Sequence, residues 1–336
     1  MIAGIMRCAS WLGTLLASVS CVGPGSAGLA PGPPWQAPSG REHVLAGRIW
    51  DVNAGEFLTP REFMERAQRS RFLLLGEKHD HPDHHIIQAW IIRALVAAGR
   101  RPVVAFEMFS PDQVPAMRRQ IASHPRDAIG LARAVRWEES GWPEFALYQP
   151  VVEAALSADL VLQAANLSRM ELDGLRRNGI VSLDKSFVER FGLAQALPED
   201  RYRVLVEEIQ RAHCGYAPED ALAGMIDVQR ARDARMAAVL REVVELDGAV
   251  LVAGAGHARH DRGVPVYLLR VQPDAHILSL GLIEVEAGVN TPIEYVDVAE
   301  PELFDYVWFT PRVDDLDPCE KFRDRLEQLR DGPTLE

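Results

Sequence analysis

Residues 72–85 read FLLLGEKHDHPDHH, and the order of apolar and polar residues in this stretch decides the fold. Phe72 to Leu75 form an unbroken apolar run that ends at Gly76, the pattern of a buried strand leaving its sheet. Polar chemistry follows at once: Glu77, His79, Asp80, His81, Asp83, His84 and His85, with four of the ten histidines of the chain. Behind them Ile86, Ile87, Trp90, Ile91 and Leu95 recur at helical spacing, so the unit is strand, loop, helix. Side chains in such a loop stand at the carboxyl edge of a strand, where open α/β sheets bind ligands. Glu77 and His79 leave the strand first and are the first candidates for function. His81, Asp83 and one of His84 and His85 are expected to face water.

The same grammar repeats outward from that unit. Upstream, residues 45–57 read as a hairpin turning at Asn53-Ala54-Gly55, and Thr59-Pro60-Arg61-Glu62 has the spacing of a capped helix start. Downstream, residues 103–106 form a strand that delivers Glu107, and residues 160–164 form another that ends near Asn166. Residues 110–131 are amphipathic, and Trp137 and Trp142 bracket a loop. From 184 to 246 no strand pattern appears, only helical segments near 185–191, 199–212 and 218–246. On the last of these, Met225, Gln229, Asp233 and Met236 share a face, which predicts core packing, with Arg232 or Arg235 as partner for Asp233. Residues 248–253 form a strand ending in Gly254-Ala255-Gly256-His257, and 264–269, 277–285 and 304–309 are read as further strands. The expected fold class is α/β: a mostly parallel β-sheet flanked by helices, with an inserted helical cap at about 184–246 over the strand ends.

If the strands run parallel, Glu77, His79, Glu107, Asn166, His257 and Arg259 meet at one edge. Gly76 to His79 and Gly254 to His257 share the form G-x-x-H, each after an apolar strand. Two imidazoles and two carboxylates suit a divalent transition metal held by His79, His257 and Glu107. A water activated there could attack an ester or amide, with Glu77 or Glu107 as general base and Arg259 steadying the oxyanion. Strand-end groups that merely satisfy loop backbone are the plainer alternative. No complete dinucleotide fingerprint, phosphate-binding loop, nucleophile elbow or CxxC pair is present.

Length and charge narrow the classes further. The chain has 336 residues, 48% of them hydrophobic, and a formal charge of −12 with its acidic residues scattered. Clustered Lys and Arg, the footprint of a nucleic-acid binder, are missing, so no nucleic acid is expected as partner. Residues 1–22 read as a secretory signal, with Arg7 ahead of a short apolar stretch. Ser18-Val19-Ser20-Cys21 resembles a lipoprotein box with Ser18 in place of the usual Leu. Lipidation at Cys21 and ordinary cleavage near Ala27 or Ala30 both remain open. Residues 23–44 are a Pro/Gly linker, 45–318 the domain, and 319–336 a charged tail. Export to the periplasm, free or membrane-anchored, is the expected location. Beyond the signal only Cys214 and Cys319 remain, either as one disulfide or as two separate thiols.

Taken together, GEKHD (76–80) with His84-His85, FEMF (106–109), GWP (141–143), AANLSR (164–169), HCG (213–215), QRARDARMA (229–237), GAGHAR (254–259) and DYVWFTPR (305–312) resemble the ChaN-like haem-binding proteins. That family belongs to the Tiki superfamily, with TraB-like and erythromycin-esterase-like relatives. The resemblance covers nearly all of 45–318. It implies an exported, often lipid-anchored protein of iron uptake, binding haem at the interface of a homodimer through Tyr helped by His. Tyr216, Tyr148 and His213 are the candidate ligands here, and Met225 and Met236 the candidate apolar surroundings. The propionates would seek Arg or Lys, though the sequence singles out none. The Tiki relatives imply the alternative, a metal-dependent hydrolase using both G-x-x-H motifs and Glu107.

Overall fold

The computed structural model describes residues 32, 34–243, 247–295, 303–321 and 323. The expected signal at 1–22, Cys21, residues 244–246 of the cap and most of the tail lie outside them. The sheet has eight strands: β1 (Ile49–Asp51), β2 (Glu56–Leu58), β3 (Phe72–Glu77), β4 (Val103–Phe106), β5 (Leu162–Ala164), β6 (Ala249–Gly254), β7 (Ile277–Glu284) and β8 (Tyr306–Thr310). Their order is β2-β1-β8-β7-β3-β6-β4-β5, antiparallel at the β2-β1-β8 edge and parallel elsewhere. The apolar run that opens the argument, β3, is a central strand, paired with β6 on one side and β7 on the other.

Burial on both faces explains why these strands read as continuous apolar runs rather than alternating ones. Successive side chains still point to opposite faces. Leu73, Leu75, Val104, Phe106, Val250 and Val252 join one core layer, while Phe72, Leu74, Val103, Ala105, Leu251 and Ala253 join the other. The first layer is closed by α1 (Pro60–Ala67), α2 (Pro82–Ala97), α3 (Val114–Ser123), α4 (Ala128–Ala134) and α5 (Phe145–Ser157). The second is closed by α6 (Arg169–Asn178), α7 (Lys185–Phe191), α9 (Glu219–Glu242) and α11 (Val264–Val271). Between α7 and α9 runs α8 (Glu199–Ala212), a one-turn α10 (Ala255–Ala258) follows β6, and α12 (Pro318–Lys321) follows β8. Thr59 caps α1 in the box that Glu62 completes.

The structure corrects several expectations. Residues 264–271 are helix α11, not a strand: Val264, Tyr267 and Leu268 are buried while Leu269 and Arg270 face outward, a helical spacing that a short apolar run conceals. His81, Asp83, His84 and His85 are all buried rather than solvated. His81 caps α2, accepting from the amides of Asp83 and His84. Asp83 accepts from the amides of Gln36 and Ala37, both at 2.9 Å, and so fastens the end of the expected linker, where Trp35 and Ala37 are buried. The insertion at 184–246 is only partly a cap. Ala234, Met236, Ala237 and Leu240 of α9 belong to the second core layer, and Met236 is core rather than ligand surroundings. Cys214, just past α8, is joined by a disulfide to Cys319 in α12.

Candidate functional site

Each G-x-x-H glycine makes room for the other motif. A Cβ on Gly76 would stand 2.9 Å from the Cα of Ala255 and 3.0 Å from the Cβ of Ala258, inside the second motif's turn. A Cβ on Gly254 would stand 3.0 Å from Nε2 of His79. Two neighbouring parallel strands therefore end in turns pressed together, with Glu107 from β4 beside them. The strand-end convergence of Glu77, His79, Glu107 and His257 is what the structure shows.

The four side chains form an alternating chain of carboxylates and imidazoles. Nδ1 of His79 lies 3.0 Å from Oε1 of Glu77, and its Nε2 lies 3.8 Å from Oε2 of Glu107. Nε2 of His257 lies 3.2 Å from Oε1 of Glu107, and its Nδ1 is 2.6 Å from Oδ1 of Asp233. The Gly254 amide donates to Oε2 of Glu107 at 2.9 Å. Glu77 also accepts from Tyr148 Oη at 2.8 Å and Gln88 Nε2 at 2.6 Å, and His85 Nδ1 stands 3.2 Å away. Gln229, one turn before Asp233 on α9, places Nε2 at 3.2 Å from His257 Nδ1.

Charge balances inside the chain. Burial pushes Glu77 up, but His85 and the hydrogen bonds from His79 and His85 outweigh it and bring the carboxyl down to about 2. Glu107 is likewise held well below the carboxylate range: burial opposes its charge, and the His257 beside it more than compensates. Burial also disfavours charge on His257, yet Glu107 and Asp233 together raise it to about 10. Desolvation lifts Asp233 to about 6 against the pull of His257. The counter-charge for Glu107 is thus the His257 imidazolium.

The sequence reading took both imidazoles as neutral and sought that counter-charge in a metal; here His257 supplies it. Among the described residues no group of three or more His, Cys, Asp or Glu side chains is arranged to hold a metal ion. His257 Nε2 is within hydrogen-bond distance of Glu107 at 3.2 Å, while His79 Nε2 stands 3.8 Å from the same carboxylate.

Other expected residues fall elsewhere. Arg259, expected to steady an oxyanion, forms a two-pronged pair with Asp261, at 2.9 and 2.8 Å. Asn166 organises its own loop, donating to the Glu107 carbonyl and accepting from the Leu167 amide, both at 2.8 Å. Asp233 pairs with His257 rather than with Arg232 or Arg235, and Arg235 pairs with Glu171. Tyr148 is fully buried, its hydroxyl committed to Glu77 and its ionisation pushed far up by burial and by that carboxylate, so it is a poor source of tyrosinate for iron. Sequence reasoning missed Gln88, Gln229 and Trp142 as site neighbours. The ring of Trp142 meets that of His79 edge-on at 4.9 Å. The four-residue spacing of Gln229 and Asp233 was the available signal.

Two clefts flank the cluster. One, about 640 Å³, is walled by Met108, Gln113, Trp142, Asn166 and Leu172. The other, about 690 Å³, lies between α8 and α9, with Leu205, Ile209, Met225, Val228 and His213 in its walls. Arg176 and Arg232 line both. His213 Nδ1 donates to the Ile209 carbonyl at 2.7 Å, which fixes the ring in the wall of the second cleft. Tyr216 is half-buried beyond the disulfide-bonded Cys214 and is not in the walls of either cleft.

Two G-x-x-H turns packed across a shared carboxylate, on a mostly parallel sheet, define an α/β protein of the Tiki superfamily. The chain belongs within it to the ChaN family of haem-binding uptake proteins, whose model matches residues 63–268. Among solved structures, the fold is similar to ChaN of Campylobacter jejuni, described with cofacial haem binding: TM-score 0.60, 20% identity, 77% of this chain and 95% of that one. An erythromycin esterase, EreC, in its open conformation is more distantly similar, with TM-score 0.44 and 12% identity over 80% of this chain and 99% of that one. No curated protein sequence matches the chain significantly.

Proposed function

We propose that this protein binds haem in the cleft between α8 and α9, as a carrier or scavenger in iron uptake. Membership of a family described by haem-binding uptake carries the reading, and the size and lining of the cleft support it. The residues present fit the group. The volume lies in the range of small-molecule sites, the walls mix apolar side chains with arginines, and His213 offers an imidazole. When bound, haem would supply an iron atom that an imidazole can ligate. His213 would hold it, with Met225 among the apolar contacts. Hemin titrated into the protein should give a saturable Soret shift that His213→Ala weakens by at least tenfold. Absence of any saturable shift would refute the reading.

The finer parts of the proposal concern setting. The Cys214–Cys319 disulfide is consistent with an oxidising compartment, so we place the protein outside the cytoplasm, soluble or anchored through Cys21. Two haems face to face follow by analogy with the Campylobacter jejuni structure, and a homodimer, which the family resemblance implies, would bring them together. Sedimentation with and without hemin would read the dimer, and mass spectrometry of the mature N-terminus would read the lipid.

A second reading, hydrolysis, is favoured by one observation. The His79 side chain is 33% exposed while the Glu77 behind it is fully buried, an arrangement suited to proton transfer at Nε2. A divalent ion entering between His79, Glu107 and His257 would have to displace the His257 proton. Calorimetry with zinc or manganese tests metal uptake, and ester or peptide hydrolysis abolished by Glu77→Gln and His79→Ala would establish the activity.

A further inference from the structure

Resting on the haem reading, we propose that Arg232, with Arg176, forms a carboxylate-binding subsite where the two clefts meet. It selects ligands that carry a free acid group on an aromatic macrocycle.

Most arginines around the clefts pair with carboxylates, Arg136 with Glu139, Arg262 with Glu208, and Arg176 with Asp173 at 3.7 Å, while Arg169 is exposed to solvent. Arg232 is different. Among the described residues it has neither hydrogen bond nor ion pair, although its side chain is half-buried and its Nε is shut off from solvent. A guanidinium is always charged and presents donors in a planar fork that matches a carboxylate. A buried donor left unmatched costs free energy that an arriving acceptor recovers. Arg232 has no competing partner of its own, since the neighbouring Asp233 is taken by His257.

Position makes the subsite specific. On α9, Met225, Val228, Gln229 and Arg232 follow one face, so an apolar body lying on the first two carries its polar edge toward the last. Arg176 reaches the same junction from α6 and adds a second cation.

Metal-free protoporphyrin IX and its dimethyl ester separate this claim from iron ligation, with binding followed by quenching of tryptophan fluorescence. Trp142 in the adjoining cleft is one reporter. The free acid should bind at least tenfold more tightly than the diester, and Arg232→Gln should remove that preference, with Arg176→Gln reducing it. Arg232→Lys should restore only part, because a point charge lacks the fork. Far-ultraviolet circular dichroism checks that each variant is folded. Equal binding of acid and diester by the wild type, or an unchanged preference in Arg232→Gln, would overturn the subsite while leaving haem binding intact. Binding of neither porphyrin, with no Soret shift for hemin, would overturn both.

Discussion

Glu77 is the side chain on which the buried polar contacts converge, with His79, His85, Gln88 and Tyr148 all directed at its two oxygens. Its carboxyl is lowered to about 2 from an ordinary 4.5, so the unfolded chain takes up the proton first as pH falls. Stability from this group is complete above pH 4.5 and is lost as pH drops through 2, on the order of 3 kcal/mol in all. Glu77→Gln should flatten acid unfolding in that window. It should also cost roughly 3–5 kcal/mol at neutral pH, because His79 and His85 lose their counter-charge. Urea melts from pH 2 to 7 would check this, and an unchanged acid slope would sink it. Glu77, His79, Glu107 and His257 were legible in the sequence because each follows an apolar run directly or within a short turn. Asp233 and Gln229 were not, since a helical polar residue declares its face but not what stands opposite. His81, Asp83 and one of His84 and His85 misled for a related reason: composition suggested solvent, while caps and hydrogen-bond partners had claimed them.

At the scale of elements, the two strand-end turns set the site by mutual contact. Gly76→Ala drives a Cβ against the backbone of α10, which cannot yield cheaply, and should destabilise by about 1–3 kcal/mol. Gly254→Ala meets the His79 ring tightly and the Glu107 carboxylate at ordinary contact distance, so it should cost less stability while displacing that ring. Calorimetry reads the first effect and the His79 proton shifts read the second; the reverse ranking would contradict the packing described. The disulfide ties the turn after α8, beside His213, to α12 after β8 across 105 residues. Reduction, or Cys214→Ser, should lower stability by roughly 2–5 kcal/mol and weaken hemin binding together with it. Matching thermal melts of oxidised and reduced protein would show otherwise. Strand and helix order was legible almost throughout, because β-runs and amphipathic periods differ over long windows. Residues 264–271 escaped, since eight mostly apolar residues do not show their period.

For the whole molecule, two faces of one sheet edge hold different chemistry. Toward the strand ends lies a cluster of carboxylates and imidazoles. Beside it, one cleft opens between the 108–142 segment and α6, another between α8 and α9, and Arg176 and Arg232 line both. The parallel sheet was readable from alternating strands and helices. The clefts were not, because each is walled by residues far apart in the sequence. The account stands on iron lying in the second of these clefts. Anomalous diffraction at the iron edge, from crystals grown with hemin, locates it directly. The prediction is an iron peak between α8 and α9 within bonding distance of His213 Nε2, with the propionates toward Arg232. A peak over Glu77 and His79, or one ligated by Tyr216 outside the cleft, would contradict it.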